Sequence, residues 1–134
     1  MDISSVSEDA LNAAVAMLRR CPSIDAAYLL GSGATGSLRP DSDVDVAVLP
    51  SLPAGISLVE RRALTAELAT VFGRAVDLGV LSSVNVVYAK EAIATGRLIF
   101  ERDHRTTARF AMLVFSMYAD LQEARREVLR AYAA

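Results

Sequence analysis

The feature that most restricts the fold is a short glycine-rich segment between two predicted strands. The strands are the apolar runs Ile24–Leu30 and Val44–Leu49, and the segment between them carries glycines in a G-x-G-x-x-G spacing, at Gly31, Gly33 and Gly36. A dinucleotide-binding fold needs a full helix after the last of these glycines. Only six residues separate Gly36 from Asp43, and one of them is a proline, so a crossover helix does not fit.

A Walker A phosphate loop is also excluded, because Gly36 is followed by Ser37 and Leu38 where that motif requires Lys and then Ser or Thr. Two interpretations remain for the segment. It is a simple glycine-rich turn, or it is a loop whose free N–H groups attract phosphate oxygens. In the second case Gly31 allows close approach of the backbone and Ser32 adds a hydroxyl donor.

An acidic pair follows the loop. Asp43 and Asp45 are two residues apart, so in a strand both project from one face, separated by about 6.6 Å at roughly 3.3 Å per residue. Two aligned carboxylates repel each other unless a cation lies between them. Magnesium prefers oxygen ligands and keeps substrate phosphates in its shell, which makes it the expected cation. The alternative is an acidic pair on a solvated edge strand.

A third acid, Asp77, lies within the otherwise apolar run Arg74–Leu81. An unpaired buried carboxylate is costly, so its presence in a strand favours a function. If this strand pairs beside Val44–Leu49, Asp77 joins Asp43 and Asp45 as a metal ligand and can accept the proton of an attacking hydroxyl. The alternative is an acid at the end of a strand, facing solvent.

The remaining pattern predicts helices and strands in alternation. Predicted helices cover Glu8–Arg20, Ser57–Phe72, Val84–Thr95 with Ser83 as its cap, and Arg105–Ala131; two further strands cover Arg74–Leu81 and Arg97–Glu101. The length of 134 residues and the lack of any linker predict a single domain over residues 1–134.

Composition limits the partners. The chain has 14 basic and 16 acidic residues, without the basic excess of a general nucleic-acid binder, so no direct nucleic-acid binding is expected. No apolar run reaches the roughly 18 residues of a membrane span, and no membrane contact is expected. The acidic N-terminal residues and a lone cysteine predict a cytoplasmic protein.

The last predicted helix contains ten consecutive uncharged residues, Phe110–Ala119. A helix that is apolar all round is buried on more than one side. We therefore expect this segment to contact a partner protein or a second copy, with Met112, Phe115 or Met117 foremost. A wholly internal helix is the alternative.

Together these residues resemble a known family. Gly31-Ser32, ten residues, then Asp43-Val44-Asp45, with a later strand acid at Asp77, is similar to the signature of the DNA polymerase β-type nucleotidyltransferase superfamily. The small size resembles its minimal nucleotidyltransferase (MNT) branch, whose members typically act as antitoxins beside a helical HEPN ribonuclease toxin. The likeness covers about Ile24 to Leu81, and the segment from Gly96 to Arg126 also resembles the MNT ending.

The resemblance implies an α/β (α+β) fold: a polymerase β-like mixed sheet flanked by helices, with a long C-terminal helix. It implies Mg²⁺ as cofactor, held by Asp43, Asp45 and Asp77, and ATP as substrate, held by Gly31 and Ser32. Many relatives carry Arg or Lys at the position of Thr35, so Arg39 is the expected cationic contact to the triphosphate.

The function expected from this resemblance is that of an adenylyltransferase antitoxin, which transfers AMP from ATP to a hydroxyl, typically a tyrosine, of its cognate HEPN toxin. Two alternatives remain at this stage. One is an antitoxin that neutralises by binding alone, which Thr35 and the apolar last helix favour. The other is nucleotidyl transfer to a small molecule such as an aminoglycoside, for which little chain remains to build an acceptor pocket.

Overall fold

The computed structural model describes residues 6–31 and 42–133. In chain order its elements are α1 (Glu8–Arg19), β1 (Ile24–Leu30), β2 (Val44–Pro50), α2 (Leu58–Phe72), β3 (Val76–Val80), α3 (Val86–Thr95), β4 (Arg97–Glu101) and α4 (His104–Ala133). The strands and helices predicted from the sequence are thus confirmed, with ends that move by one or two residues. The predictions for Ser32, Thr35 and Arg39 concern residues outside the described ranges.

The sheet is mixed and has the strand order β3-β2-β1-β4. Strand β1 pairs antiparallel with both β2 and β4, whereas β2 and β3 run parallel and are connected through α2. The central strands β1 and β2 are almost fully buried, which explains their apolar sequences. The expected mixed sheet flanked by helices, with a long C-terminal helix, is therefore confirmed.

Local sequence signals determine where the helices begin and end. Ser7 caps α1 by accepting a hydrogen bond from the Ala10 N–H, and Ser57 forms a reciprocal capping box with Glu60 at the start of α2. Gly73 ends α2 in the left-handed conformation. The prediction for α3 was wrong in one detail: its N-cap is Asn85 and not Ser83, so the helix begins two residues later than expected.

One face of the sheet packs against α1 and α2. Val44, Val46 and Val48 of β2 point into this core together with Leu29 of β1. They meet residues from the two helices that are themselves buried: Ala14, Met17, Leu18, Leu64 and Leu68. This layer is apolar throughout and supplies most of the buried surface that stabilises the fold.

The opposite face packs against α3 and α4, but only over part of its length. Ala47 and Leu49 of β2 contact a core that includes Ala89 of α3 and Val114 of α4. Because side chains alternate along a strand, Asp45 projects from the same face as Ala47 and Leu49. It lies two residues before Ala47, nearer the start of β2, and is not part of this core. The two helices therefore leave the beginning of β2 and β3 open.

Arg102 fastens β4 to the end of α1. Its guanidinium donates hydrogen bonds to the carbonyls of Ile24 (3.0 Å) and Cys21 (2.8 Å) and to those of the last turn of α1. The Arg102 side chain therefore has a structural role. In the described part of the chain, no helix combines the length and apolar character needed to cross a membrane.

Candidate active site

The acids on the two parallel strands are adjacent. Asp45 of β2 and Asp77 of β3 are register partners in the parallel ladder, so their side chains leave the same face of the sheet. Asp43 lies immediately before β2 and is exposed, and Asp45 is partly buried. The structure thus brings together Asp45 and Asp77 by strand pairing, and Asp43 by its position two residues earlier.

The ionisation of Asp45 reflects this proximity. Burial raises the pKa of the Asp45 carboxyl above its usual value, and the charges of Asp77 and Asp43 raise it further. The ionised form of Asp45 is therefore destabilised in this environment, and a positive charge beside it would offset that cost.

The start of β2 is held in place by the segment that precedes β3. Arg74 donates a hydrogen bond to the carbonyl of Ser42 (3.2 Å), and the Val44 N–H donates to the carbonyl of Ala75 (2.9 Å). Asp43 lies between these two anchored residues. Its position relative to β3 is consequently set by a side-chain hydrogen bond on one side and a backbone hydrogen bond on the other.

Gly31 ends β1 beside the acids. It has φ of +58°, a conformation that favours glycine, and a Cβ added there would lie 3.4 Å from Asp45 Oδ2. The Gly31 backbone therefore lies close to the Asp45 carboxylate, and its expected contact with phosphate stays a prediction.

The carboxylates of Asp43, Asp45 and Asp77 fit one common mode of magnesium binding. Among the described residues, no three His, Cys, Asp or Glu side chains are grouped so that they would enclose a metal ion by themselves. Magnesium, however, is usually bound through one or two carboxylates together with substrate phosphates and water. A cross-strand pair of aspartates with a third nearby, in which the pKa of Asp45 is raised by its acidic neighbours, fits that mode of binding.

A cleft of about 430 Å³ opens above the acids, and we call it the acidic cleft. Its floor is formed by Leu30, Asp45 and the strand β3, and the whole lining comprises Leu30, Asp45, Arg61, Asp77, Leu78, Gly79, Val80, Asn85 and Tyr88. The cleft runs from the end of β1 across β2 to the outer edge of the sheet at β3. It is the open part of the face that α3 and α4 cover elsewhere.

Three lining residues were not identified from the sequence. Arg61 lies on α2, and its Nη2 reaches the edge strand and donates to the Leu78 carbonyl at 2.8 Å. Asn85 and Tyr88 belong to the start of α3, which carried no recognisable motif. The sequence did contain one signal: Gly79 interrupts an apolar strand, which often marks close approach of another group.

That group is the Tyr88 side chain. A Cβ on Gly79 would collide with the hydroxyl and the ring of Tyr88, so the ring lies directly on the Gly79 backbone. Burial raises the pKa of the Tyr88 hydroxyl, and the carboxylates of Asp77 and Asp45 raise it further against a smaller opposing influence of Arg61. Tyr88 therefore stays protonated at neutral pH. It lines the same cleft as Asp45 and Asp77.

The last helix differs from its sequence-based description. Within Phe110–Ala119 only Val114 is fully buried, while Met112, Leu113 and Phe115 are 71%, 48% and 42% exposed. The alternative of a wholly internal helix is therefore wrong. The apolar residues on the outer side of α4 form a surface that is open in the free chain, and its role as an interface stays a prediction.

Comparisons with known proteins agree with this geometry. Residues 12–105 match the family described as Polymerase beta, Nucleotidyltransferase. A relative from Shewanella oneidensis, protein adenylyltransferase MntA, is 29% identical over 119 residues, which cover 88% of this chain and 84% of the relative.

Two solved structures are similar over nearly the whole chain. A chain in the crystal structure of a toxin–antitoxin with AMP-PNP is 27% identical, with a TM-score of 0.72, and the match covers 91% of this chain and 98% of that one. A chain in the structure of a tri-AMPylated Shewanella oneidensis HEPN toxin in complex with MNT antitoxin is 26% identical, with a TM-score of 0.69 and coverage of 93% and 97%. The family match, the shared fold and the position of the acids lead to one conclusion: the chain belongs to the polymerase β nucleotidyltransferase family.

Proposed function

We propose that this chain is an antitoxin that transfers AMP from ATP to a hydroxyl of a cognate HEPN-type toxin. The observation that carries the proposal is the pairing of Asp45 with Asp77 beside the left-handed Gly31, at one end of an open cleft, in a member of a nucleotidyltransferase family. The named relatives support the choice of acceptor, since one is a protein adenylyltransferase and another is an antitoxin in complex with an AMPylated toxin.

The residues that would hold Mg²⁺ are Asp43, Asp45 and Asp77: Asp45 and Asp77 are register partners on β2 and β3, and Asp43 immediately precedes β2. When bound, Mg²⁺ supplies positive charge that neutralises the triphosphate and stabilises the charge developing on the leaving group. The AMP-PNP of one similar structure supports ATP as the substrate of this chain.

The reaction follows from the arrangement of the acids and the loop. The backbone N–H groups that follow Gly31, with Ser32 and Arg39, would hold the β- and γ-phosphates next to Asp45. The acceptor oxygen attacks the α-phosphorus, the bond from that phosphorus to the bridging oxygen breaks, and pyrophosphate leaves with the bonding electrons. Asp77 accepts the proton that the acceptor hydroxyl loses. Positioning and electrostatics thus provide most of the catalysis, as in phosphoryl transfer generally.

The proposal includes a cytoplasmic location, where ATP and Mg²⁺ are available. The partner is expected to be encoded by a neighbouring gene. Its contact surface on this chain is proposed to include the exposed apolar side of α4 within Phe110–Ala119, either for the toxin or for a second copy.

The test is the intact mass of the HEPN-type protein after incubation with this chain, ATP and Mg²⁺. A mass gain of one or more AMP groups is expected, and it should vanish with Asp43→Asn, which removes a charge at nearly constant size. Asp25→Asn is the control for the loss of one carboxylate charge, because Asp25 is an acid of β1 that is not part of the Asp43, Asp45 and Asp77 set. A stable complex without any mass gain would instead establish neutralisation by binding alone.

A further inference from the structure

The acidic cleft is lined not only by acids but also by residues to which the proposed phosphate chemistry gives no role. Its far end, beyond Asp77, is lined by a cation, an amide and a phenol: Arg61, Asn85 and Tyr88. None of these residues belongs to the glycine loop or to the acidic motif. They come from α2 and α3, and they meet only because β3 is the edge strand of the sheet.

The position of Arg61, Asn85 and Tyr88 relative to the acids indicates which of the two substrates they can contact. Gly31 follows β1, on one side of Asp45, whereas Asp77 and the three residues lie on the other side, toward β3. In phosphoryl transfer the attacking and leaving oxygens are roughly in line through phosphorus. If pyrophosphate leaves on the side of Gly31, the attacking hydroxyl must arrive from the side of Asp77.

We infer that Arg61, Asn85 and Tyr88 form the acceptor subsite, which binds a protein segment that presents a hydroxyl to Asp77. This assignment rests on the proposed function and adds to it the residues that select the acceptor. The segment is expected to carry a tyrosine, because a second aromatic ring can pack against the exposed part of the Tyr88 ring.

Tyr88 is built to position a hydroxyl. Its ring is held on the Gly79 backbone, and the residue lines the acidic cleft. The phenol is protonated at neutral pH, so it can donate a hydrogen bond to the acceptor oxygen or accept one from it. Tyr88 lines the acidic cleft together with Asp77 and Asp45, so it lies next to the reacting groups.

Arg61 and Asn85 supply the contacts to the rest of the segment. One nitrogen of Arg61 is anchored to the Leu78 carbonyl at 2.8 Å, and a guanidinium has five N–H donors, so the others remain for a carbonyl or a carboxylate of the acceptor. Asn85 is the N-cap of α3, but its side chain makes no capping hydrogen bond and its amide is exposed. Both groups are therefore available at the mouth of the cleft.

The test separates binding of the acceptor from binding of ATP. Initial rates of AMP transfer are measured with the HEPN-type partner varied at saturating ATP, and with ATP varied at saturating partner. Tyr88→Phe and Arg61→Gln are each expected to lower kcat/KM for the partner about tenfold, the effect of losing one hydrogen bond. KM for ATP should stay within about twofold of the wild-type value.

The matched control is Arg62→Gln. Arg62 is the next residue on α2, is exposed, and does not line the acidic cleft, so its loss should change neither KM. Arg61→Lys retains the charge and is expected to recover part of the lost activity. Thermal unfolding of each variant shows whether the fold is retained, and Tyr88→Phe keeps the ring that packs on Gly79.

Three results would overturn the assignment. A rise in KM for ATP with no change for the partner would mean that this end of the cleft binds the nucleoside. Unchanged constants for both substrates would mean that the three residues contact neither. Absence of AMP transfer by the wild-type chain would remove the proposed function itself, and this result is recognisable before any variant is made.

Discussion

Asp45 and Asp77 lie directly opposite each other in the parallel ladder of β2 and β3, so two like charges share one face of the sheet at neighbouring positions. Burial of Asp45 adds to this unfavourable arrangement and raises its pKa further. Two adjacent carboxylates lower the free energy of unfolding, so stability does not explain their presence. The relationship therefore predicts a measurable trade-off between stability and function at this position.

The first prediction concerns Asp45→Asn in the presence of a chelator. Because the folded pKa of Asp45 is raised above its unfolded value, this group favours the folded state most below about pH 4 and loses that contribution as pH rises through the folded pKa. At pH 7.5 the variant is expected to exceed the wild type by about 0.5–1 kcal/mol in free energy of unfolding, after allowance for solvent screening.

The measurement for this prediction is urea unfolding at pH 4 and at pH 7.5. The advantage of the variant should be small at pH 4 and larger at pH 7.5. Addition of Mg²⁺ should raise the Tm of the wild type and leave that of the variant nearly unchanged, because binding to the folded state alone stabilises it. A variant that is less stable than the wild type at pH 7.5 would contradict this account of Asp45.

The second prediction concerns Gly31→Ala. A side chain there must adopt a left-handed conformation and also approaches Asp45 Oδ2, so stability should fall by about 1–2 kcal/mol and AMP transfer should be reduced. Gly73→Ala is the control, since Gly73 has a similar φ of +69° but a Cβ there meets nothing within 4 Å. It should lose similar stability and keep its transfer rate per folded molecule. If both variants lost activity equally, Gly31 would have no specific role in AMP transfer.

The third prediction couples Gly79 with Tyr88. Gly79→Ala forces the Tyr88 ring out of its position, with an expected cost of about 1–3 kcal/mol for overpacking. In a Tyr88→Ala background the same substitution should cost much less, because the colliding atoms are gone. A double-mutant cycle in urea should give a coupling of at least about 0.5 kcal/mol. Additive effects would mean that Gly79 is small for another reason.

The fourth prediction concerns Arg102, which lies outside the acidic cleft. Arg102→Ala removes hydrogen bonds to several carbonyls around the end of α1 and should lower the free energy of unfolding by about 1.5–3 kcal/mol. Arg105→Ala, an exposed neighbour on α4, should change it by less than about 0.5 kcal/mol. Urea unfolding of the two variants decides the matter, and equal effects would remove the special role of Arg102.

The fifth prediction concerns the outer side of α4. Phe115 is 42% exposed, so Phe115→Asp should leave the free chain folded, yet it should weaken the complex with the HEPN-type partner or a second copy by about tenfold or more. Val59→Asp is the control, because Val59 is 77% exposed on α2. Titration calorimetry and light scattering measure the two associations, and unchanged binding by the Phe115 variant would exclude this surface.

Local rules in the sequence were sufficient to predict the elements of the fold. The strand β1 and the strand β4 were predicted with their observed bounds, because short apolar runs are bounded there by loop or helix signals. The ends of α2 followed from Ser57 and Gly73, whose capping chemistry depends only on adjacent residues. At α3 the same reasoning selected Ser83, and the structure uses Asn85, since packing of the helix on the sheet decides its first turn.

The sequence by itself also identified the acids of the candidate site. The two-residue spacing of Asp43 and Asp45 restricts them to one face of an extended segment, and Asp77 is conspicuous because it interrupts an apolar run. Only the tertiary structure decided that β3 lies parallel to β2 with Asp77 opposite Asp45, because strand register depends on long-range packing. The same holds for Arg61 and Tyr88, which reach the acidic cleft from two helices that flank opposite faces of the sheet, an arrangement that no local pattern encodes.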